Sequence, residues 1–221
     1  MGNHLYKIKS TQSQDKVTIA INATQPIPNR KSAGAKILMH YRNKPVLDHI
    51  IDLINRTFAE PEIIIITGFA AKSIYVNRPK NVRLVENQLF DSTRECENLR
   101  LVAQSTTSKN IIFLPDNMMY SKEDLICLSK QSLVVTSEHM LSEMVPIFEN
   151  GSLYDFIFHK DNHERYYANA FSLSGRELEY AVNYSFKNMY STFFDTELLS
   201  DVVRSGGIIR ELHSPSAEII I

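Results

Sequence analysis

The sequence predicts an α/β protein, a three-layer α/β/α arrangement around a mixed sheet with an antiparallel hairpin late in the chain. Three observations carry this expectation. Short, continuous β-branched runs alternate with helical periodicities, the pattern of strands covered on both faces by crossover helices. Asn150-Gly151 separates two strand-like runs, and Asn-Gly is a strong signal for a tight hairpin turn. A chain of 221 residues with 43% hydrophobic content suits one well-buried core.

Residues 1–15 read as a polar N-terminal tail and residues 16–221 as a single domain. VTIAI (17–21) and EIIIITG (62–68) are expected to be buried strands. Between them, VLDHIIDLINRTF places Val46, Ile50, Leu53, Ile54 and Phe58 on one face of a helix. NVRLVEN (81–87) is a further strand and CENLRLVAQS (96–105) a helix. NIIFLPDNMMY (110–120) is a strand ending in a loop, and the next helix begins at Ser121, where Ser121 and Asp124 approximate a capping box. SLVVTSE (132–138) closes the first part.

The second part opens with the hairpin, residues 143–160, around Glu149-Asn150-Gly151. ERYYANAFSLSGREL (164–178) is a strand leading into a helix capped near Ser174. A final helix is expected around 195–205, and Gly206-Gly207 then turns into a closing strand, IIRELHS. No internal repeat or low-complexity segment interrupts the pattern.

Composition narrows the function. The 24 Lys and Arg against 25 Asp and Glu leave a net charge of −1, with no basic block. That balance gives no electrostatic reason for nucleic acid or an anionic membrane as partner. Cys96 and Cys127 lack metal-ligand spacing and read as small buried thiols in a reducing compartment. The first residues contain no apolar h-region and no apolar run approaches ~20 residues, so the expected location is cytoplasmic. The aromatic stretches YYANAF and YSFKNMYSTFF have little basic interleaving, which favours core or subunit packing over base stacking. The exposed face of 180–194 is a candidate homodimer contact.

Five segments in order resemble the Rossmann-like nucleotidyltransferases that activate sugar phosphates, phosphocholine or molybdopterin-type acceptors, the nucleotide-diphospho-sugar transferase fold. In the first, Ala23-Thr24 stands where the family has A-G, Asn29-Arg30 where it has S-R, and Ala35-Lys36 where it has P-K. Asn43-Lys44-Pro45-Val46-Leu47 is similar to G-K-P-L-L, and IIIITGF (63–69) to a strand ending in V-x-G-Y. Val85-Glu86-Asn87 before a helix resembles V-x-N, and Leu114-Pro115-Asp116 the strand end whose acid holds a metal. Near the C-terminus, His213-Ser214-Pro215 stands where D-T-P-E-D supplies a second carboxylate. The resemblance covers about residues 17–221.

This resemblance implies transfer of a nucleoside monophosphate from an NTP to a small phosphorylated acceptor, with pyrophosphate release and Mg²⁺ as cofactor. Positioning and charge stabilisation dominate such chemistry. It implies catalytic roles for Lys36 and Arg30, and nucleotide or substrate contacts for Asn22, Ala23, Thr24, Asn87 and Lys160. Asp116 and His213 would be the metal positions. Each has a plainer alternative: a solvated basic loop for Arg30, Lys31 and Lys36, a surface lysine for Lys160, a turn or capping acid for Asp116, and a structural imidazole for His213.

Two features depart from the pattern. No glycine lies between Thr24 and Ala33, and Pro26 and Pro28 remove two backbone donors from the loop. Imidazole is also a poor Mg²⁺ ligand. The residues therefore leave two readings: a divergent transferase, or a catalytically degenerate protein that keeps the fold for binding or assembly. A nucleotide-sugar glycosyltransferase is a third, but Asp116-Asn117-Met118 offers only one of the two acids it would use.

Overall fold

The computed structural model describes residues 16–27, 34–139, 143–158 and 163–220. The elements follow the sequence closely. The first strand, β1 (Thr18–Ala23), leads through a single 3₁₀ turn (Lys36–Leu38) to the two-residue strands β2 (His40–Tyr41) and β3 (Lys44–Pro45). Then come α1 (Val46–Thr57), β4 (Glu62–Thr67), α2 (Ala71–Asn77), β5 (Val82–Glu86), α3 (Glu95–Ser105) and β6 (Asn110–Pro115). The short β7 (Met118–Met119) precedes α4 (Lys122–Leu128) and β8 (Leu133–Ser137). The hairpin is β9 (Met144–Glu149) and β10 (Ser152–Phe158), followed by β11 (Tyr166–Ser174), α5 (Gly175–Lys187), α6 (Asp195–Arg204), β12 (Arg210–His213) and β13 (Glu218–Ile219).

Nine strands form one sheet in the order β5-β4-β1-β6-β11-β8-β12-β10-β9. The first four are mutually parallel, and β11 runs antiparallel to both β6 and β8. β8 and β12 are parallel again, and the hairpin adds to the far edge. β1 carries two apolar faces because it is covered on both. Ile19, Ile21 and Ala23 pack in the layer of α1 and α4, while Ala20, on the other face, packs with Leu99 and Val102 of α3 and with α5 and α6. Strand, then, is dictated by β-branched content, and helix by the one-sided apolar stripe of α1, where Val46, Ile50 and Ile54 are buried.

Local signals for caps and turns are borne out with one variation. Ser121 Oγ accepts from the Asp124 N–H at 3.0 Å and Asp124 Oδ2 accepts from the Ser121 N–H at 2.9 Å, a complete capping box. Asn150 (φ 51°) and Gly151 (φ 76°) both take left-handed backbone in the hairpin turn, as a type I′ turn requires. Ser174 does stand at the N-cap of α5, but its side chain does not cap; its hydroxyl lies 3.4 Å from Ser132 Oγ instead.

Candidate nucleotide site at the carboxyl edge of the parallel strands

In β5, β4, β1 and β6 the C-terminal ends share one edge of the sheet, and the chain moves outward from β1 in both directions, to β4 on one side and β6 on the other. Such a switch in strand order opens a crevice at the carboxyl ends of the two central strands, where open α/β sheets take their ligands. Asn22, Ala23 and Thr24 end β1 there, and Asp116 follows β6 directly.

Asp116 is 5% exposed. Its Oδ1 lies 3.7 Å from Lys36 Nζ, and its Oδ2 has no hydrogen-bond partner among the described residues. Burial pushes this carboxyl up to about 6, against the opposing pull of the Lys36 charge. Lys36 reaches the acid although the sequence separates the two widely. The Lys36 N–H donates to Gln25 O at 3.2 Å, Pro26 bridges to Ala35, and the Ile27 N–H donates to Gly34 O at 3.3 Å. The base of the loop after β1 is therefore closed on itself, and Ile37, fully buried in the core, anchors its far end. Arg30, Lys31 and Pro28, on this loop, and Lys160, beyond the hairpin, lie outside the described residues.

The remaining candidates on β1 and β5 belong to a buried polar chain. Thr24 Oγ1 donates to Asn22 Oδ1 at 2.9 Å, and Asn98 Nδ2 donates to the same oxygen at 3.3 Å. Asn87 Nδ2 donates to Asn98 Oδ1 at 2.8 Å and to Thr93 Oγ1 at 2.9 Å, while Asn87 Oδ1 accepts from the Leu89 N–H at 3.0 Å. Asn87 is thus buried and engaged within the protein, holding the start of α3 against β5. Ala23 and Thr24 are also buried, so what they offer a ligand is backbone; the Thr24 carbonyl already accepts from the Phe69 N–H at 3.1 Å.

Glu95 is the first residue of α3. Its Oε2 is buried with no hydrogen-bond partner among the described residues. Burial first, and the nearby Asp195 carboxylate second, raise it to about 7. Asp195 opens α6, is itself raised by burial, and accepts from Tyr167 Oη at 2.7 Å and from the Thr196 N–H at 2.8 Å. Sequence reasoning missed this pair. An acid in a first helical turn reads as a dipole partner, and only the strand-to-helix signal at Val85-Glu86-Asn87 pointed to this corner.

His213 ends β12, which β11 and β8 separate from β6. Its Nε2 lies 3.6 Å from Glu138 Oε1, and its Nδ1 is buried without a partner among the described residues. The neighbouring Ser214 donates to Asp124 Oδ2 at 2.8 Å, tying this segment to the α4 cap. Among the described residues no group of three His, Cys, Asp or Glu gathers as a metal centre. Beside Lys36, the hard oxygen donor that could meet Mg²⁺ is Asp116 Oδ2, unpartnered among the described residues. This suits an ion that keeps most of its shell as water and phosphate oxygens.

Cys96 is buried, which pushes its thiol up to about 11, while Cys127 is half-buried. Phe186, Met189, Tyr190 and Phe194, within or just beyond α5, are exposed as expected for the 180–194 face. Among the described residues no helix is long and apolar enough to cross a membrane.

No protein-family model and no curated protein matches the sequence. Solved structures do. A CTP:phosphocholine cytidylyltransferase from Streptococcus pneumoniae superimposes with a TM-score of 0.71 at 17% identity, over 93% of this chain and 93% of that one. The inositol-1-phosphate CTP transferase from T. maritima gives 0.71 at 10% identity, over 92% and 88%. A nucleoside-diphosphate-sugar pyrophosphorylase from Vibrio cholerae gives 0.65 at 12% identity, over 90% and 92%. At such identities the likeness concerns the backbone path, and it spans nearly the whole of each chain. The protein has the fold that these nucleotidyltransferases share.

Proposed function

We propose that the protein is a divergent nucleotidyltransferase that transfers a nucleoside monophosphate from an NTP to a small phosphorylated acceptor of the sugar-phosphate or phosphocholine kind. The observation that carries this reading is Asp116, a buried carboxylate at the switch point with one oxygen unpartnered and Lys36 alongside. The fold supports it, and so do the activities of the structural neighbours, which include a CTP:phosphocholine cytidylyltransferase and an inositol-1-phosphate CTP transferase.

In this reading an oxygen of the acceptor phosphate attacks the α-phosphorus of the NTP. The new P–O bond forms as the bond to the bridging oxygen breaks, and pyrophosphate leaves with that electron pair. Lys36 sets a point charge against the phosphates and, held by the loop base, does so without reorganising. Asp116 holds Lys36 in the crevice, and its Oδ2 would hold Mg²⁺. When bound there, the ion would neutralise charge developing on the phosphoryl oxygens. The Asn22–Thr24 segment lines the wall on the β1 side. Arg30 would add a second cation and Lys160 a contact to the acceptor phosphate.

Incubation with each NTP, Mg²⁺ and a panel of sugar-1-phosphates and phosphocholine should release pyrophosphate, and Asp116→Ala should stop it. No release from any combination would sink the catalytic reading. A second reading, a degenerate site retained for binding or assembly, is favoured by Lys36 resting where a cation would sit and by the glycine-free loop. Nucleotide binding separates the two: if neither NTP nor Mg²⁺ shifts the melting temperature, the site has been retired.

A further inference from the structure

A cavity of about 210 Å³ lies where α5 and α6 meet the β9–β10 hairpin. It exceeds the ~150 Å³ cavity that takes a benzene-sized guest. None of the described residues assigned to the crevice lines it. Aromatic side chains form its apolar part. Tyr184 and Phe193 are half-buried, with ring centroids 6.1 Å apart and planes tilted by 33°. Phe156, from the hairpin, is also half-buried and packs edge-to-face with Tyr167 at 5.2 Å.

The polar part carries three acids and one base. Glu197, Asp201 and Arg204 come from α6 at helical spacing. Glu197 and Asp201 stand one turn apart, and like charges so placed destabilise a helix. Arg204 does not relieve them, because its Nη2 pairs with Asp155 Oδ2 at 2.8 Å. Asp155 Oδ1 accepts from Ser200 Oγ at 2.7 Å and from the Phe156 N–H at 2.9 Å, so Asp155 is filled. Glu197 Oε2 accepts from the Phe194 N–H at 2.8 Å. The Asp201 carboxylate, by contrast, has no hydrogen bond or ion pair among the described residues. Burial first, and the Asp201 charge second, push the Tyr184 hydroxyl up, so the ring stays neutral.

We propose that this cavity binds an alkylammonium group, with Asp201 and Glu197 as counter-charge and Tyr184, Phe193 and Phe156 as its apolar wall. The inference is independent of the nucleotidyltransferase reading. An anion is repelled by the surplus of acids. A hydrated metal ion gains nothing from aromatic walls, and among the described residues no group of three His, Cys, Asp or Glu gathers to replace its water. An organic ammonium ion meets both halves of the cavity, since its charge is attracted to carboxylates and aromatic rings and its carbon surface leaves water. Two forms share this chemistry: a quaternary ammonium, which has no N–H, and a primary amine, which also donates hydrogen bonds to carboxylates.

The test is a ligand-observed NMR titration of the full chain with tetramethylammonium and with n-butylammonium, at constant ionic strength in KCl. The expected dissociation constant is about 1 mM for at least one of them. Asp201→Asn should weaken it about fivefold, and so should Phe193→Leu, which keeps every charge and removes one ring. Melting temperatures confirm that both variants fold, and Asp116→Ala should leave amine binding unchanged. Tetramethylammonium alone binding identifies a quaternary ligand, and n-butylammonium alone a primary amine; either supports the assignment. Binding of neither ion below about 20 mM overturns it, as does an affinity that Asp201→Asn leaves intact. Loss of binding in Asp116→Ala places the ammonium in the crevice and overturns it too. Because no nucleotide enters the titration, none of these outcomes bears on the transferase reading.

Discussion

Asp116 and Asp124 flank the same short connection between β6 and α4, and they are buried almost equally, at 5% and 7% exposure. Their hydrogen bonding differs completely. Asp124 Oδ2 accepts from the Ser121 N–H, Ser214 Oγ and Ser216 Oγ, and its N–H closes the capping box. Among the described residues Asp116 has one ion pair, at 3.7 Å, and an oxygen with no partner. A carboxylate with its acceptor capacity filled ties elements together; one left open in a crevice stores a demand that a ligand can meet. Burial alone does not tell a structural acid from a functional one.

The largest effect that would sharpen this contrast is on activity. Asp116→Ala is expected to lower pyrophosphate release by at least about a hundredfold while leaving the melting temperature unchanged or raised. Asp124→Ala should do the reverse. Losing the cap and the Ser214 tie should cost about 2 kcal/mol, a fall of roughly 4–8 °C in calorimetry, with nucleotide affinity per folded molecule retained. If Asp116→Ala unfolds the protein and Asp124→Ala abolishes turnover, the contrast has been assigned backwards.

A smaller effect concerns Lys36. Lys36→Met should reduce turnover by about 10- to 100-fold. It should also move the acid limb of the pH–rate profile upward, because the Lys36 charge opposes the burial that raises Asp116 to about 6. A profile that keeps its position would detach Lys36 from Asp116 in solution.

The smallest effect is on the pH dependence of stability. Glu95 is raised from 4.5 to about 7 and Asp116 from 3.8 to about 6. For a raised pKa the folded state binds its proton more tightly, so the favourable contribution is complete below the unfolded pKa and is lost as pH rises through the folded one. Between roughly pH 4 and pH 7 these groups should therefore erode stability. Glu95→Gln should stabilise the protein by about 2 kcal/mol at pH 8 and hardly at all at pH 4. A gain independent of pH would show that Glu95 titrates normally.

Much of this architecture was legible in local sequence. β1, β4, β6 and β8 announce themselves by β-branched runs, α1 by its apolar stripe, the β9–β10 hairpin by Asn150-Gly151, and α4 by Ser121 and Asp124. The elements that escaped are short. In β2 and β3 two residues pair on either side of Arg42 and Asn43, both with positive φ, and α2 buries only Ile74. Neither is long enough to carry a period. β7 and β13 pair across the chain, Glu218 with Met119 and Ile219 with Met118, a contact that no local pattern encodes.

For the site the division is sharper. By itself the sequence determined the strand that delivers Asp116 to the carboxyl edge and the order of segments that places Lys36 after the first strand. Periodicity and chain order are local properties, and the parallel topology follows from them. Only the tertiary structure decided that Asn87 holds α3 against β5, that Ser214 ties the final strand to the α4 cap, and that Glu95 meets Asp195. Those outcomes depend on which side chains from distant segments share a buried volume. The same buried volume sets whether a carboxylate is filled, as Asp124 is, or left open, as Asp116 and Glu95 are.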